Sequence, residues 1–325
     1  MSPTITLLKF FAAFLITWSH LDKCFPADQA VLATGGTLGN GLFFFISGFG
    51  LFLSTRNLKS FSWFQVKISK LLLPTFVFVL AKTIFNGYFD LKVEFNHTWF
   101  VWAILAFYVA YHPILIFFKE HIFKIILITY PVMFIIYAVI LLNRQDYFVD
   151  IANYYFKCTY YFQIFLFGGW VASKNATMKY NFKKDLLLFL VFYGAFNVLK
   201  FYIKGHPSLY ALQILSPLCI MPAIYYLFKV FDTGIASKII HNKVLSPVVF
   251  VISGLTLEIY LVQFSIITKD FNSWYPWNIP LLLAAVLLSG YLLKIGTGLF
   301  KVIFFDGFSN FKSIWHISCD SSKYK

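Results

Sequence analysis

Charge is the scarcest ingredient of this chain. Only 12% of its 325 residues are Asp, Glu, Lys or Arg, against roughly 25% in a soluble domain that must solvate its surface. A fold surrounded by water is excluded. Arginine is nearly missing, with Arg56 and Arg144 alone, so no arginine patch exists to grip phosphates or bases, and nucleic acid is excluded as a partner. Cysteine is sparse too. Cys24, Cys158, Cys219 and Cys319 lie far apart and show no metal-ligand spacing. Free thiols are the expected state, with a Cys24–Cys158 disulfide the alternative. The seven histidines are equally scattered, so no metal is expected. The chain also lacks a Gly-x-Ser-x-Gly elbow, a phosphate loop and a His-Glu-x-x-His pair.

What the chain does have is apolar length. Hydrophobic residues make up 60%, Phe alone numbers 42, and the mean hydropathy is +0.75. Stretches of about 17–25 apolar residues read as membrane spans. Ten are expected: Thr4–Leu21, Leu38–Leu53, Ile68–Phe85, Thr98–Phe118, Ile122–Leu142, Tyr154–Ala172, Leu186–Ile203, Leu209–Phe228, Leu245–Ile267 and Ile279–Ile303. The first lacks a small-residue cleavage site and reads as a retained span. Connectors such as Ser54–Phe64, Ser173–Asp185 and Lys229–Lys243 are short and polar.

Basic residues fall unevenly between alternate connectors. One set holds Arg56, Lys59, Lys67, Lys70, Lys119, Lys124, Lys174, Lys179, Lys183, Lys184, Lys229, Lys238 and Lys243; the other holds Lys23, Lys92, Arg144, Lys157, Lys204 and Lys269. Positive residues stay on the cytoplasmic side. The expected fold is therefore an all-α polytopic membrane protein of about ten transmembrane helices with both termini cytoplasmic. Residues 1–305 form the membrane domain and 306–325 a cytoplasmic tail. The net charge of +14 then meets anionic lipid or an anionic cofactor.

Ionisable groups within spans cost about 2.5–3.5 kcal/mol each on insertion scales and call for a reason. Lys9 and His20 are eleven residues apart in the first span. That spacing is three turns plus about 20°, which puts both on one helical face some 16 Å apart. One reading is a snorkelling lysine and an interfacial histidine. The other is a shared polar channel with a cation at the inner end and a titratable base towards the outside. Lys67 and Lys70, three apart ahead of Pro74, are either topology anchors or a clamp for phosphates. Asn40 and Ser47 sit in a glycine-rich second span suited to close helix packing. His97 and Trp99 open the fourth span at the depth of an aromatic belt. In the ninth, Glu258 precedes Tyr260 in an apolar run and must be neutral or paired. Asp185 and Asp232, in connectors, need no special account.

Taken in order, these segments resemble the acyltransferase-3 family of bacterial integral membrane acyltransferases. The matching stretches are Lys9 with His20, the run from Gly39 to Phe49, Lys67 and Lys70 ahead of Pro74, His97-x-Trp99-Phe100 followed by Tyr108 and Pro113, and Leu257 to Leu261. The resemblance covers essentially the whole chain and fits ten spans. It departs from the family at Lys9, where arginine is usual, so the charge stays and the bidentate fork goes. Gly41 stands where many members carry Asp, and Gln263 where many carry His. Many larger members carry an extracytoplasmic hydrolase-like domain; a stand-alone membrane transferase is expected here.

The resemblance implies transfer of an acyl group, usually acetyl from acetyl-CoA, to a hydroxyl of a surface glycan or its lipid-linked precursor at the bacterial inner membrane. No permanently bound cofactor is implied. His20 would be the general base, with Lys9 beside it in the catalytic pair. Lys67 and Lys70 would hold the acyl-CoA phosphates. Asn40, Ser47, His97, Trp99, Glu258 and Tyr260 would support the site or the substrate. The alternative function is a membrane component that exports polysaccharide.

Overall fold

The structure, a computed structural model, describes residues 2–54, 61–143 and 154–306. Arg56, Lys59, Arg144 and Cys319 lie outside the described residues, as does all of the expected tail beyond Asp306. The described chain is all-helical, with no strand among the described residues. In order, the α-helices are α1 Pro3–His20, α2 Gly36–Leu53, α3 Phe61–Asn86, α4 Leu91–His97, α5 Trp99–Phe117, α6 Ile122–Asn143 and α7 Tyr154–Lys174. They continue as α8 Phe182–Lys204, α9 Ser216–Val230, α10 Ala236–His241, α11 Leu245–Gly254, α12 Thr256–Ile266 and α13 Asn278–Lys301.

Eight helical stretches among the described residues are long and apolar enough to cross a bilayer. They include Pro3–Cys24, Ala30–Leu53 and Asn278–Phe304. A ninth exists if the pair Leu245–Gly254 and Thr256–Ile266 is one span broken by a 76° bend. The remaining expected span, Tyr154–Ala172, is helical within the 21-residue α7, but it is not among the sufficiently apolar stretches. Its Tyr, Lys, Thr and Gln content accounts for that. The Lys229–Lys243 connector is corrected. It is mostly helical, α10 being separated from α9 by a kink in the turn Phe231–Ile235 at Gly234, whose φ of 95° an L-residue would resist.

α2 sits at the centre because its glycines let three neighbours approach. A Cβ on Gly39 would lie 3.0 Å from the carbonyl oxygen of Ala12 on α1, and one on Gly41 would meet Ile224 of α9. The tightest crossing is with α7. There a Cβ on Gly48 would stand 1.9 Å from the Phe165 carbonyl oxygen, and one on Gly168 2.1 Å from that of Phe45. Phe44 and Phe45, wholly buried, pack beside this crossing against Tyr161 and Phe228.

Two acidic residues expected to be unremarkable are not so. Asp185 has no solvent exposure, and its Oδ1 accepts from Lys229 Nζ at 2.6 Å. Its other oxygen accepts from the Asn181 backbone N–H. Asp232 accepts from the Thr4 hydroxyl at 2.5 Å, tying the Phe231–Ile235 turn to the start of α1. Lys229, counted among the solvated connector cations, is instead buried in an ion pair. Cys24 and Cys219 are free thiols.

Candidate active site

Lys9 is where the site begins. Ser2 caps α1 through its side chain and Pro3 opens the helix, which aims Lys9 inward at the second turn. Two adjoining cavities share it. The inner, about 160 Å³, is lined by Lys9, Ser47, Leu71, Phe100, Tyr108 and Tyr260 among others. The outer, about 440 Å³, runs past Lys9, Ser47 and Tyr108 to Lys67, Ser2 and Ser54. It therefore reaches the amino-terminal end of α1 and the carboxy-terminal end of α2. Ser47 stands within hydrogen-bonding reach of the Tyr108 hydroxyl, so both cavities keep a polar wall in otherwise apolar surroundings.

No carboxylate among the described residues pairs with Lys9. Glu258, the other inserted charge, is buried at 2% exposure but bonds Lys294 of α13 at 2.8 Å. Lys70 and Lys294 are close enough to repel Lys9 electrostatically. Lys9 thus enters the cavities with no carboxylate partner among the described residues and with two cations, Lys70 and Lys294, as charged neighbours.

His20 stands at the opposite end of α1, eleven residues or about 16 Å away along the axis. It does not line either of these two cavities. Phe264 stands between His20 and Tyr260, which lines the inner cavity: it lies one turn beyond Tyr260 on α12, and its ring centre is 6.1 Å from that of Tyr260 and 4.5 Å from that of His20. α12 follows α1 in the same direction. The Thr17 hydroxyl donates to Gln263 Oε1 at 3.2 Å, one turn before His20. Lys23, Lys157 and Asp22 complete the charge surroundings of His20.

His97 joins the same cluster from α4. Its ring lies parallel to Phe264, 5.6 Å between centres, and its Nδ1 is 3.1 Å from Lys82 Nζ. Lys82 bonds Glu94 Oε1 at 2.6 Å. Burial and the Lys82 charge hold His97 below the ordinary imidazole range. Trp99 packs against Phe44, Phe100 and Tyr161, with the Lys157 ammonium 5.4 Å from its ring centre.

The structure thus gathers Lys9, Ser47, Lys67 and Tyr260 at the cavities and His20 with His97 around Phe264. Glu258 lines neither cavity and pairs with Lys294. Lys70 is exposed and Asn40 half-buried, and neither lines the two cavities. Lys82, Glu94 and Lys294 were missed in the sequence. The signal was present for the two lysines, since Lys82 and Lys294 each interrupt an apolar run as Lys9 does. Among the described residues, no group of His, Cys, Asp and Glu could hold a metal ion.

Helices of bilayer-spanning length around a largely apolar cavity that one lysine, Lys9, enters define a polytopic membrane protein with an internal cavity. The sequence profile of the acyltransferase-3 family, described as an acyltransferase domain, matches residues 3–295, and the chain belongs to that family. It is accordingly a membrane acyltransferase. No curated protein and no solved structure matches the chain.

Proposed function

We propose that this protein moves an acetyl group from acetyl-CoA to a hydroxyl of a bacterial surface glycan or its lipid-linked precursor. In this reading it works in the inner membrane with ten spans, α7 and the bent α11–α12 pair included, and both termini cytoplasmic. The outer cavity then faces the cytoplasm, where acyl-CoA is made. The observation that carries the reading is Lys9, a cation with no carboxylate partner among the described residues, shared by two adjoining cavities.

Lys67, at the mouth, attracts the phosphates of the donor, with Lys70 adding to the field nearby. The acyl end of the pantetheine arm enters past Ser47 and Tyr108, since the inner cavity is too small for a nucleotide. Tyr260 and Phe264 then separate the thioester from His20, and the Phe264 side chain must turn for the two to meet. On the other side of Phe264, a neutral His20 takes the proton of the attacking hydroxyl. The new C–O ester bond forms, the C–S bond breaks, and the departing thiolate takes the proton from the imidazolium. Asn40, whose buried Oδ1 lacks a hydrogen-bond partner among the described residues, and Trp99 serve as supports.

Mass spectrometry of the surface glycan from cells carrying His20→Ala tests the reading. Loss of O-acetylation with normal membrane insertion is the expected result. Unchanged acetylation refutes it.

A further inference from the structure

The cluster on the far side of Phe264 contains more than a base. Asp90 caps α4 by accepting from the N–H groups of Lys92 and Val93. At the other end of the helix, the Thr98 hydroxyl donates to the Glu94 carbonyl at 2.7 Å and accepts from Trp102 Nε1 at 3.0 Å. The short helix is therefore pinned at both ends, and His97 leaves its last turn with a fixed direction.

Lys82 decides the chemistry of that ring. An ammonium has three donors and no lone pair. It spends one proton on Glu94 Oε1 and faces His97 Nδ1 with another. The nitrogen it meets must offer a lone pair, so Nδ1 carries no proton and the neutral ring keeps its proton on Nε2. The ring presents an N–H donor and cannot serve as a base through Nδ1. His20 shares the Phe264 ring with it. Glu94 Oε2 is buried without a hydrogen-bond partner among the described residues, an acceptor that a hydroxyl would satisfy.

We propose that His97 is an acceptor-binding residue: held by Lys82 and Glu94 as the Nε2–H tautomer, it donates to an oxygen of the polyhydroxylated acceptor whose neighbouring hydroxyl is deprotonated by His20. The Glu94 Oε2 atom takes a second hydroxyl of the same molecule, so the ligand class is a sugar with vicinal oxygens. Lys82 and Glu94 act through His97 and are positioning residues. This assignment rests on the acetyl-transfer reading for the identity of its ligand, whereas the tautomer does not depend on it.

Two measurements on the detergent-solubilised full chain test it. Nitrogen NMR of histidine-labelled protein, with the His97 signals assigned by their loss in His97→Gln, is expected to show protonated Nε2 and unprotonated Nδ1. In Lys82→Met that preference is expected to vanish. The opposite tautomer, or an unchanged pattern in Lys82→Met, overturns the proposal whether or not the protein transfers acetyl groups. Kinetics with acetyl-CoA and p-nitrophenyl glycosides then separate the two ideas. His97→Ala is expected to raise the glycoside KM about three- to tenfold, the worth of one hydrogen bond, with the acetyl-CoA KM unchanged. His97→Gln, which keeps an N–H near Nε2, should stay close to wild type. Equal damage from Ala and Gln, or a matching rise in the acetyl-CoA KM, refutes an acceptor contact. A wild-type protein that transfers to none of the glycosides counts against the acetyl-transfer reading, and the NMR pattern then decides the arrangement of His97 alone.

Discussion

Replacing Lys9 by Met separates a cation kept for a ligand from one kept for the fold. Lys9 has no carboxylate partner among the described residues and sits where Lys70 and Lys294 repel it. Its removal leaves no buried anion behind, unlike removal of one member of an ion pair. Insertion scales put the cost of a lysine at a helix centre at about 2.5–3.5 kcal/mol, an upper bound on what Lys9→Met can return to the fold. Stability should therefore hold or rise. Binding should move the other way, because a hydrogen bond to a charged group contributes about 1.5–3 kcal/mol, or roughly ten- to 150-fold in Kd. Lys9→Arg keeps the charge and should bind within a few-fold of wild type. Thermal unfolding in detergent and calorimetric titration with acetyl-CoA read both quantities. A Lys9→Met protein with a lower Tm, or with wild-type affinity, would refute the reasoning.

Other expectations follow from particular contacts. Gly48→Ala places a methyl group against the Phe165 carbonyl and should lower stability by about 1–3 kcal/mol, as overpacking does, read as a fall in Tm with helix content retained. Asp185→Asn or Lys229→Met leaves a buried partner alone and should cost about 3–5 kcal/mol, while the double replacement by Leu recovers most of it in denaturation of the purified protein. Burial and the Lys82 charge lower the His97 titration midpoint, so NMR should place it below the unfolded value of about 6.5. The unfolded chain then binds the extra proton first, and stability contributed by neutral His97 falls on acidification below that pH. His97→Gln should remove this part of the acid sensitivity.

Much of the membrane architecture could be read from apolar run lengths, because a bilayer sets the length of an element and leaves little choice of structure. Run length said nothing about how α11 and α12 meet, since a 76° break at Leu255 costs no hydrophobicity. Nor could it identify partners across the bundle. Glu258 was legible as a residue needing a partner, but Lys294 stands 36 residues later on another helix. Asp185 looked like a connector acid until the packing of α8 against α9 put Lys229 over it. The helical period placed Lys9 and His20 on one face, as the cavity at Lys9 and the ring contact at His20 require. What it could not supply was Phe264, contributed by α12, which fills the space between them.

A structure determined with a non-hydrolysable acetyl-CoA analogue tests the donor site most directly. Density for the pantetheine arm between Ser47, Tyr108 and Lys9, with the phosphates beside Lys67, is the predicted result. An analogue bound elsewhere, with the Lys9 cavity empty, contradicts the account.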